Sequence, residues 1–249
     1  MRRQTISPAL RREVIATWGD QCWLGLPGCT GKGEEDDHIV PWSHGGRDTL
    51  GNLRRACKHC NSMRSDRNVQ GYPCTYHAVI GPPCAGKTEW ALEHARADSL
   101  LIDFGMLATA LTMPDMHEPG LGIAPDAAST AGGAWTGALH RAERLGTPGD
   151  VWVVRCVPQL PRHPRLLDEW IALGWDVTVV DPGEKETLRR IGLAGGDVQA
   201  LTKAARAWYG LHLTARHVQR LVAARRDELA RLGLADRTPP AAGGDLGGW

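Results

Sequence analysis

The sequence predicts an α/β chain in two unequal parts: a small zinc-stapled module of two strands and a helix, then a doubly wound parallel sheet opened by a phosphate-binding loop. Three observations carry this. Four cysteines fall as two pairs, Cys22 with Cys29 and Cys57 with Cys60, the second at C-x-x-C spacing, which suits one tetrahedral metal site. The apolar run Ala78-Val79-Ile80 leads into Gly81-Pro82-Pro83-Cys84-Ala85-Gly86-Lys87-Thr88, a match to G-x-x-x-x-G-K-[ST] between a strand and a helix. Behind it, short apolar runs alternate with helical stretches, as a parallel sheet wound with helices requires.

Ser7-Pro8 reads as an N-cap with proline at the first helical position, and Leu10, Val14, Ile15 and Trp18 mark one face of a helix that Gly19 ends. Asp37-His38-Ile39-Val40-Pro41 reads as a first strand, Ser43-His44-Gly45-Gly46-Arg47-Asp48 as a loop, Asn52-Leu53-Arg54-Arg55-Ala56-Cys57 as a second strand, and residues 60–67 as a short helix. Gln70-Gly71-Tyr72-Pro73 is a turn-rich break and marks the boundary between a first domain, 1–71, and a second, 75–210. Strands are expected at 99–103, 151–157 and 176–180. Helices are expected near 88–97, 133–145, 164–173, 184–191 and 198–208. Residues 211–249 hold a last amphipathic helix, 214–233, and a flexible tail, TPPAAGGDLGGW.

At 249 residues the chain exceeds what a zinc-stapled module needs, so a second domain is expected. Seven cysteines leave Cys74, Cys84 and Cys156 after the two pairs, and scattered thiols in odd number favour a reducing compartment. A disulfide framework is the competing reading of the four, disfavoured because MRRQTISPAL lacks the apolar segment of a leader. No apolar stretch reaches the ~18 residues of a membrane span, so the expected setting is the cytoplasm. Arginine outnumbers lysine 24 to 5 and tryptophan outnumbers phenylalanine 10 to 1, a skew of GC-rich coding that points to an actinobacterium or one of its phages. Net charge is +1 but uneven. Residues 1–71 hold 11 basic against 8 acidic side chains, the remainder 18 against 20, and 203–231 carry 7 against 2. Basic surface suits contact with phosphates; a solvated helix face explains the C-terminal run as well.

Between the cysteine pairs lie DDHIVP, GNLRRAC and CKHCNSMR. Four thiolates suit a zinc that folds the module, while Asp, His and Asn suit a second metal of harder ligands with one histidine left over as a base. Over residues 20–68 this combination resembles the zinc-stapled HNH endonucleases, the ββα-metal fold. The resemblance implies that Cys22, Cys29, Cys57 and Cys60 hold structural Zn²⁺. It also implies that Asp37 and Asn61 hold Mg²⁺ or Mn²⁺ against a scissile phosphate, that His38 deprotonates water, and that Asn52 braces the loop orienting His38. A histidine with a pKa of about 6.5 is largely neutral at cellular pH, as a base must be. The family's last letter is often His where this chain has Asn61, and a register with His59 as the ligand stays open. The competing reading is a zinc knuckle that binds nucleic acid without cutting it. The implied partner is double-stranded DNA.

In the second motif, backbone amides of the loop Gly81 to Gly86 would cradle phosphates, Lys87 would reach the outer ones and the Thr88 hydroxyl would ligate Mg²⁺. Residues 76–210 resemble the small P-loop kinases, a group that includes polynucleotide and nucleotide kinases and zeta-toxin-like enzymes; only the phosphate loop is specific. The run Val151-Trp152-Val153-Val154-Arg155 ends without the acidic pair of an ATPase that activates water, which favours a kinase. By this resemblance Asp103 is a general base, against the alternative of a cap on the next turn. Arg189 and Arg190, after Asp181-Pro182-Gly183, belong to a lid, against the alternative of an exposed helix face. The implied function is an endonuclease joined to an ATP- or GTP-binding domain that phosphorylates 5′-hydroxyl ends of nucleic acid. HNH cleavage leaves 5′-phosphates, so the kinase would not act on its partner's product. The alternative is a nuclease gated by a nucleotide-hydrolysing or nucleotide-sensing domain. Phage DNA-processing or repair proteins are the further partners expected.

Overall fold

The structure is a computed structural model that describes residues 6–111, 125–156, 165–194 and 197–234; the predicted tail, 238–249, lies outside them. Helix α1, Pro8–Trp18, starts where expected: the Ser7 side chain accepts from the Leu10 amide at 3.2 Å and proline sits in the first turn. Its buried Val14 joins Ile6 and Leu53 in a small apolar cluster.

Strands β1, Glu35–His38, and β2, Leu53–Ala56, pair antiparallel with Glu35 opposite Ala56 and His38 opposite Leu53. Strand β1 therefore begins two residues earlier than predicted and ends at His38. An acidic run is a poor strand former, and here distant arginines offset it. Asp36 accepts from Arg55 at 2.5 Å and from Arg11 at 2.7 Å, and Asp37 from Arg64 at 2.7 Å. Helix α2, Lys58–Arg64, starts earlier than the predicted 60–67 because the Cys57 sulfur caps it, accepting from the Cys60 amide at 3.3 Å. It ends at Ser65, whose φ of 53° turns the chain out of the helix.

The second part is a four-stranded parallel sheet of β3, Cys74–Ile80, β4, Leu100–Asp103, β5, Gly149–Arg155, and β6, Asp176–Val179, in the order β4-β5-β3-β6. All three later strands lie within two residues of their predicted bounds; residues 157–164 lie outside the described ones. Helices α3, Lys87–His94, α4, Phe104–Ala110, α5, Pro125–Ala142, α6, Leu166–Ala172, α7, Glu184–Ala194, α8, Val198–Tyr209, and α9, Ala215–Arg231, fill the connections and the C-terminal end. Helix α5 starts eight residues before its predicted position, and α4 was not expected at all. Asp103 nucleates α4 by capping it, its Oδ1 accepting from the Met106 amide at 3.0 Å.

The strands alternate two apolar faces, as a doubly wound sheet must. Val79, Trp152 and Val154 pack with α3 through Ala91 and Trp90. Tyr76, Ala78, Ile80, Ile102, Val151 and Val153 face the larger core with Trp135, Trp170 and Trp175. That same core takes in Trp23, Leu24, Leu26, Ile39 and Ala56 from the zinc-module half. Polar ties cross at the same place. Arg67 meets Glu169 on α6 at 2.8 Å, and Asn68 donates to the Leu145 carbonyl at 2.8 Å and the Tyr76 hydroxyl at 2.9 Å. Arg225 on α9 donates to the carbonyls of Trp23 at 2.8 Å and Ala172 at 2.8 Å.

Candidate functional site

The four cysteine sulfurs lie within 4.8 Å of one another, with Cys29 and Cys57 at 4.0 Å. Zn–S bonds near ~2.3 Å put tetrahedral sulfurs about 3.8 Å apart, so the cage fits zinc. The loop carrying Cys22 and Cys29 closes through the Cys22 amide on the Gly31 carbonyl at 2.8 Å, and the Gly31 amide donates to the Cys29 sulfur at 3.3 Å. Burial and the neighbouring thiols push Cys60 far up. For Cys57, burial is outweighed by hydrogen bonds from Thr30 and Cys60, which bring it down to about 6. A site in which one thiol ionises readily and the next resists is what four crowded sulfurs give before a cation neutralises them.

Glu35 and Asp37 alternate on one face of β1, and that face meets Asn61 and Arg64, three residues apart on α2. Asn61 Nδ2 donates to Glu35 Oε2 at 2.6 Å. Asp37 is 5% exposed, and its Oδ2 accepts from Trp23 Nε1 at 3.0 Å and Arg64 Nη1 at 2.7 Å. The two residues predicted to hold the catalytic cation are thus brought to facing surfaces, each with a partner the sequence reading missed. His59 lies elsewhere: its Nε2 meets the Pro27 carbonyl at 2.8 Å, on the loop that carries Cys29.

His38 ends β1 and is 4% exposed, with Nε2 at 2.7 Å from Asp48 Oδ1. Asn52 ties down the intervening loop. Its Oδ1 accepts from the Val40 amide at 2.9 Å, and its Nδ2 donates to the carbonyls of Val40 at 3.2 Å and Arg47 at 3.1 Å. Gly46 passes so close that a Cβ there would sit 1.8 Å from the Val40 carbonyl oxygen, which is why the loop needs glycine.

Residues 27–67 match the model of the HNH endonuclease family. That stretch is an HNH endonuclease domain. The match spans Asp37, His38, Asn52, Asn61 and three of the four cysteines, while Cys22 completes the cage from outside it. No curated protein matches the chain. Beside the HNH domain no described helix is long and apolar enough to cross a membrane.

The second motif lies across the shared core from the HNH domain, where β3 ends. Gly81 abuts β6 so closely that a Cβ would fall 2.0 Å from the Val180 carbonyl oxygen. Residues 82–85 form the loop, with Cys84 at φ 56°, an unusual conformation for a residue with a side chain. Lys87 Nζ donates to the Pro82 carbonyl at 2.6 Å, and burial lowers its pKa. Thr88 Oγ1 donates to Asp103 Oδ2 at 2.6 Å. Asp103 thus caps α4 with one oxygen, as the alternative reading of this residue expected, and meets Thr88 with the other. An open cleft of about 600 Å³ runs along Cys84, Gly86, Lys87, Thr88 and Arg190. The two predicted arginines part company. Arg190 reaches the Ala85 carbonyl at 3.2 Å and Glu186 at 2.8 Å, whereas Arg189 points to solvent and is held by Glu186 at 2.7 Å.

Proposed function

We propose that this protein is a metal-dependent HNH endonuclease that hydrolyses phosphodiester bonds of double-stranded DNA, with His38 as general base. The observation that carries the reading is the coincidence of the HNH match with a histidine at the end of β1, directly after Asp37 on the surface that faces Asn61. The Trp23 indole and Arg64 both contact Asp37 through Oδ2, so Asp37, through its other oxygen, and Asn61 are the residues that would hold a cation. Mg²⁺ or Mn²⁺ there would neutralise the charge that grows on the phosphate. His38 takes a proton from water, the hydroxide attacks phosphorus, and the 3′-oxygen leaves, so the product carries a 5′-phosphate. Nicking of supercoiled plasmid with Mg²⁺ tests this: the wild type should cut, and His38→Ala should retain DNA binding while cutting at least ~100-fold more slowly. Equal cutting by both would sink the reading.

For the sheet half we infer binding of ATP or GTP with Mg²⁺ and transfer of phosphate to 5′-hydroxyl ends of nucleic acid. Support comes from the phosphate loop at the end of the central strand β3, beside Lys87, Thr88 and Arg190, and from the contact between Thr88 and Asp103. Asp103 would accept the proton of the acceptor hydroxyl, and Arg190 would steady the moving phosphoryl group. Label from γ-labelled ATP on a 5′-hydroxyl oligonucleotide, lost in Lys87→Ala, is the expected result. Release as free phosphate would support the gating alternative instead.

A further inference from the structure

The loop between β1 and β2 carries a carboxylate that the assignment of His38, Asp37, Asn52 and Asn61 leaves unused. We propose that Asp48 is a positioning residue for the nuclease reaction, fixing the tautomer and orientation of His38 through Nε2. This rests on the nuclease reading above. Asp48 Oδ1 lies 2.7 Å from His38 Nε2, the His38 side chain is 4% exposed and that of Asp48 27%. An ionised carboxylate only accepts hydrogen bonds. Facing a carboxylate, Nε2 is the ring nitrogen that donates, so Asp48 fixes the tautomer as well as the orientation of His38.

The placement of Asp48 is built rather than incidental. Asn52 Nδ2 holds the Arg47 carbonyl at 3.1 Å, and the Thr49 amide donates to the same carbonyl at 3.0 Å, so the residues on both sides of Asp48 are pinned. Gly46 lets the loop lie against the Val40 carbonyl, and Asn52 binds Val40 from the other side at 2.9 Å. Asn52 is thereby assigned its route of action: it anchors the loop, the loop presents Asp48, and Asp48 sets His38. Trp42 lies edge-on to the same imidazole, ring centroids 6.1 Å apart, and limits its rotation from another side.

The test is cleavage of supercoiled plasmid by the full chain with Mg²⁺, reading kcat and KM separately for wild type, Asp48→Asn, Asp48→Glu, His38→Ala and the double variant Asp48→Asn/His38→Ala. A well-placed base is worth roughly 10²–10⁴-fold, so losing its orientation should lower kcat about 10–100-fold with KM unchanged. Asp48→Glu, which keeps the carboxylate, should recover part of the loss. In the double variant the Asp48 change should add nothing to the His38→Ala rate, because it acts only through that ring. Undiminished kcat in Asp48→Asn, or a loss that persists in full without His38, would overturn the proposal while leaving the nuclease reading intact. Wild-type rates in His38→Ala would overturn both. Zinc content and the thermal midpoint of each variant, both expected unchanged, separate these outcomes from misfolding.

Discussion

Replacing Arg64 with methionine should destabilise the protein by about 3–5 kcal/mol, the cost of breaking a buried ion pair from one side. The side chain is 0% exposed. Its N–H groups reach Asp37 Oδ2 at 2.7 Å, the His38 carbonyl at 2.6 Å, the Ile39 carbonyl at 2.5 Å and the Arg67 carbonyl at 2.9 Å. Methionine fills much the same space, so the loss is electrostatic rather than a cavity. Asp37 would keep the Trp23 indole, a neutral donor that offsets little of a carboxylate's desolvation. Against a usual total of ~5–15 kcal/mol, this is a large fraction. Urea unfolding followed by tryptophan fluorescence at saturating zinc is the assay. With a slope near ~3 kcal/mol per molar, the midpoint should drop by about 1 M or more. Adding Asp37→Asn to Arg64→Met should restore part of the loss by removing the stranded charge. A midpoint shift worth under ~0.5 kcal/mol, or no recovery in the double variant, would refute the view that Arg64 is the counter-charge of Asp37.

Removing Cys57 and Cys60 together as serines should abolish a bound zinc of one per chain, measured by elemental analysis, and should bring on unfolding of the HNH domain, because ligand binding and folding are one equilibrium in such modules. Lys87→Ala should weaken binding of a fluorescent ATP analogue at least ~10-fold, the loss of one charge-assisted phosphate contact, while leaving zinc content unchanged. Glu143 lies buried between the halves; burial outweighs Arg67 and Arg144 and lifts its carboxyl to about 7 from 4.5. Its Oε1 has no hydrogen-bond partner, and Arg67 at 3.7 Å is too distant to supply one. Between those pH values the folded chain keeps a proton that the unfolded chain has released. Stability should therefore fall as pH rises from 4.5 through 7, by up to about 3 kcal/mol, and Glu143→Gln should flatten that slope in urea titrations.

What the sequence made legible was whatever is local in the chain. The C-x-x-C pair is one turn of backbone, and a glycine-bounded loop between strand and helix is a local geometry too. The four cysteines do gather, the loop after β3 does lead into α3, and the three later strands lie close to their predicted bounds. What escaped depends on partners far away. Nothing local to the run Glu34 to Asp37 shows that Arg11, Arg55 and Arg64 arrive from three other segments to meet Asp36 and Asp37. Arg225 reads as one more charge on an exposed helix; in the fold it is buried and bonded to carbonyls about 200 positions earlier in the chain. Asp48 carried a fainter signal, an acid in the tight loop between His38 and Asn52, but only the folded loop shows which ring it faces.

The same long-range contacts decide how the two proposed activities can be tested. The turn at 70–73 looks like a place to cut, yet the chain on its N-terminal side is sealed by the chain on the other. Arg54 donates to the Leu232 carbonyl at 2.9 Å and stacks 3.9 Å over Trp18, while Trp23 and Leu24 lend their carbonyls to Arg225. A fragment ending at residue 71 would expose Trp23, Leu24 and Leu26 and take the Leu232 carbonyl away from Arg54. Side chains of that size lose roughly 1.5–3 kcal/mol each on full exposure, enough together to consume the stability of a module that small. Point substitutions in the intact chain are therefore the sound way to test the proposed cutting apart from the proposed nucleotide chemistry. The tie also runs close to the reaction: Arg64, which holds Asp37, donates to the carbonyl of Arg67, which in turn pairs with Glu169 on α6. A displacement of α6 would reach Asp37 through two arginines. If nucleotide gates cutting, Arg67→Met should uncouple the two while leaving nucleotide binding and the basal nicking rate in place.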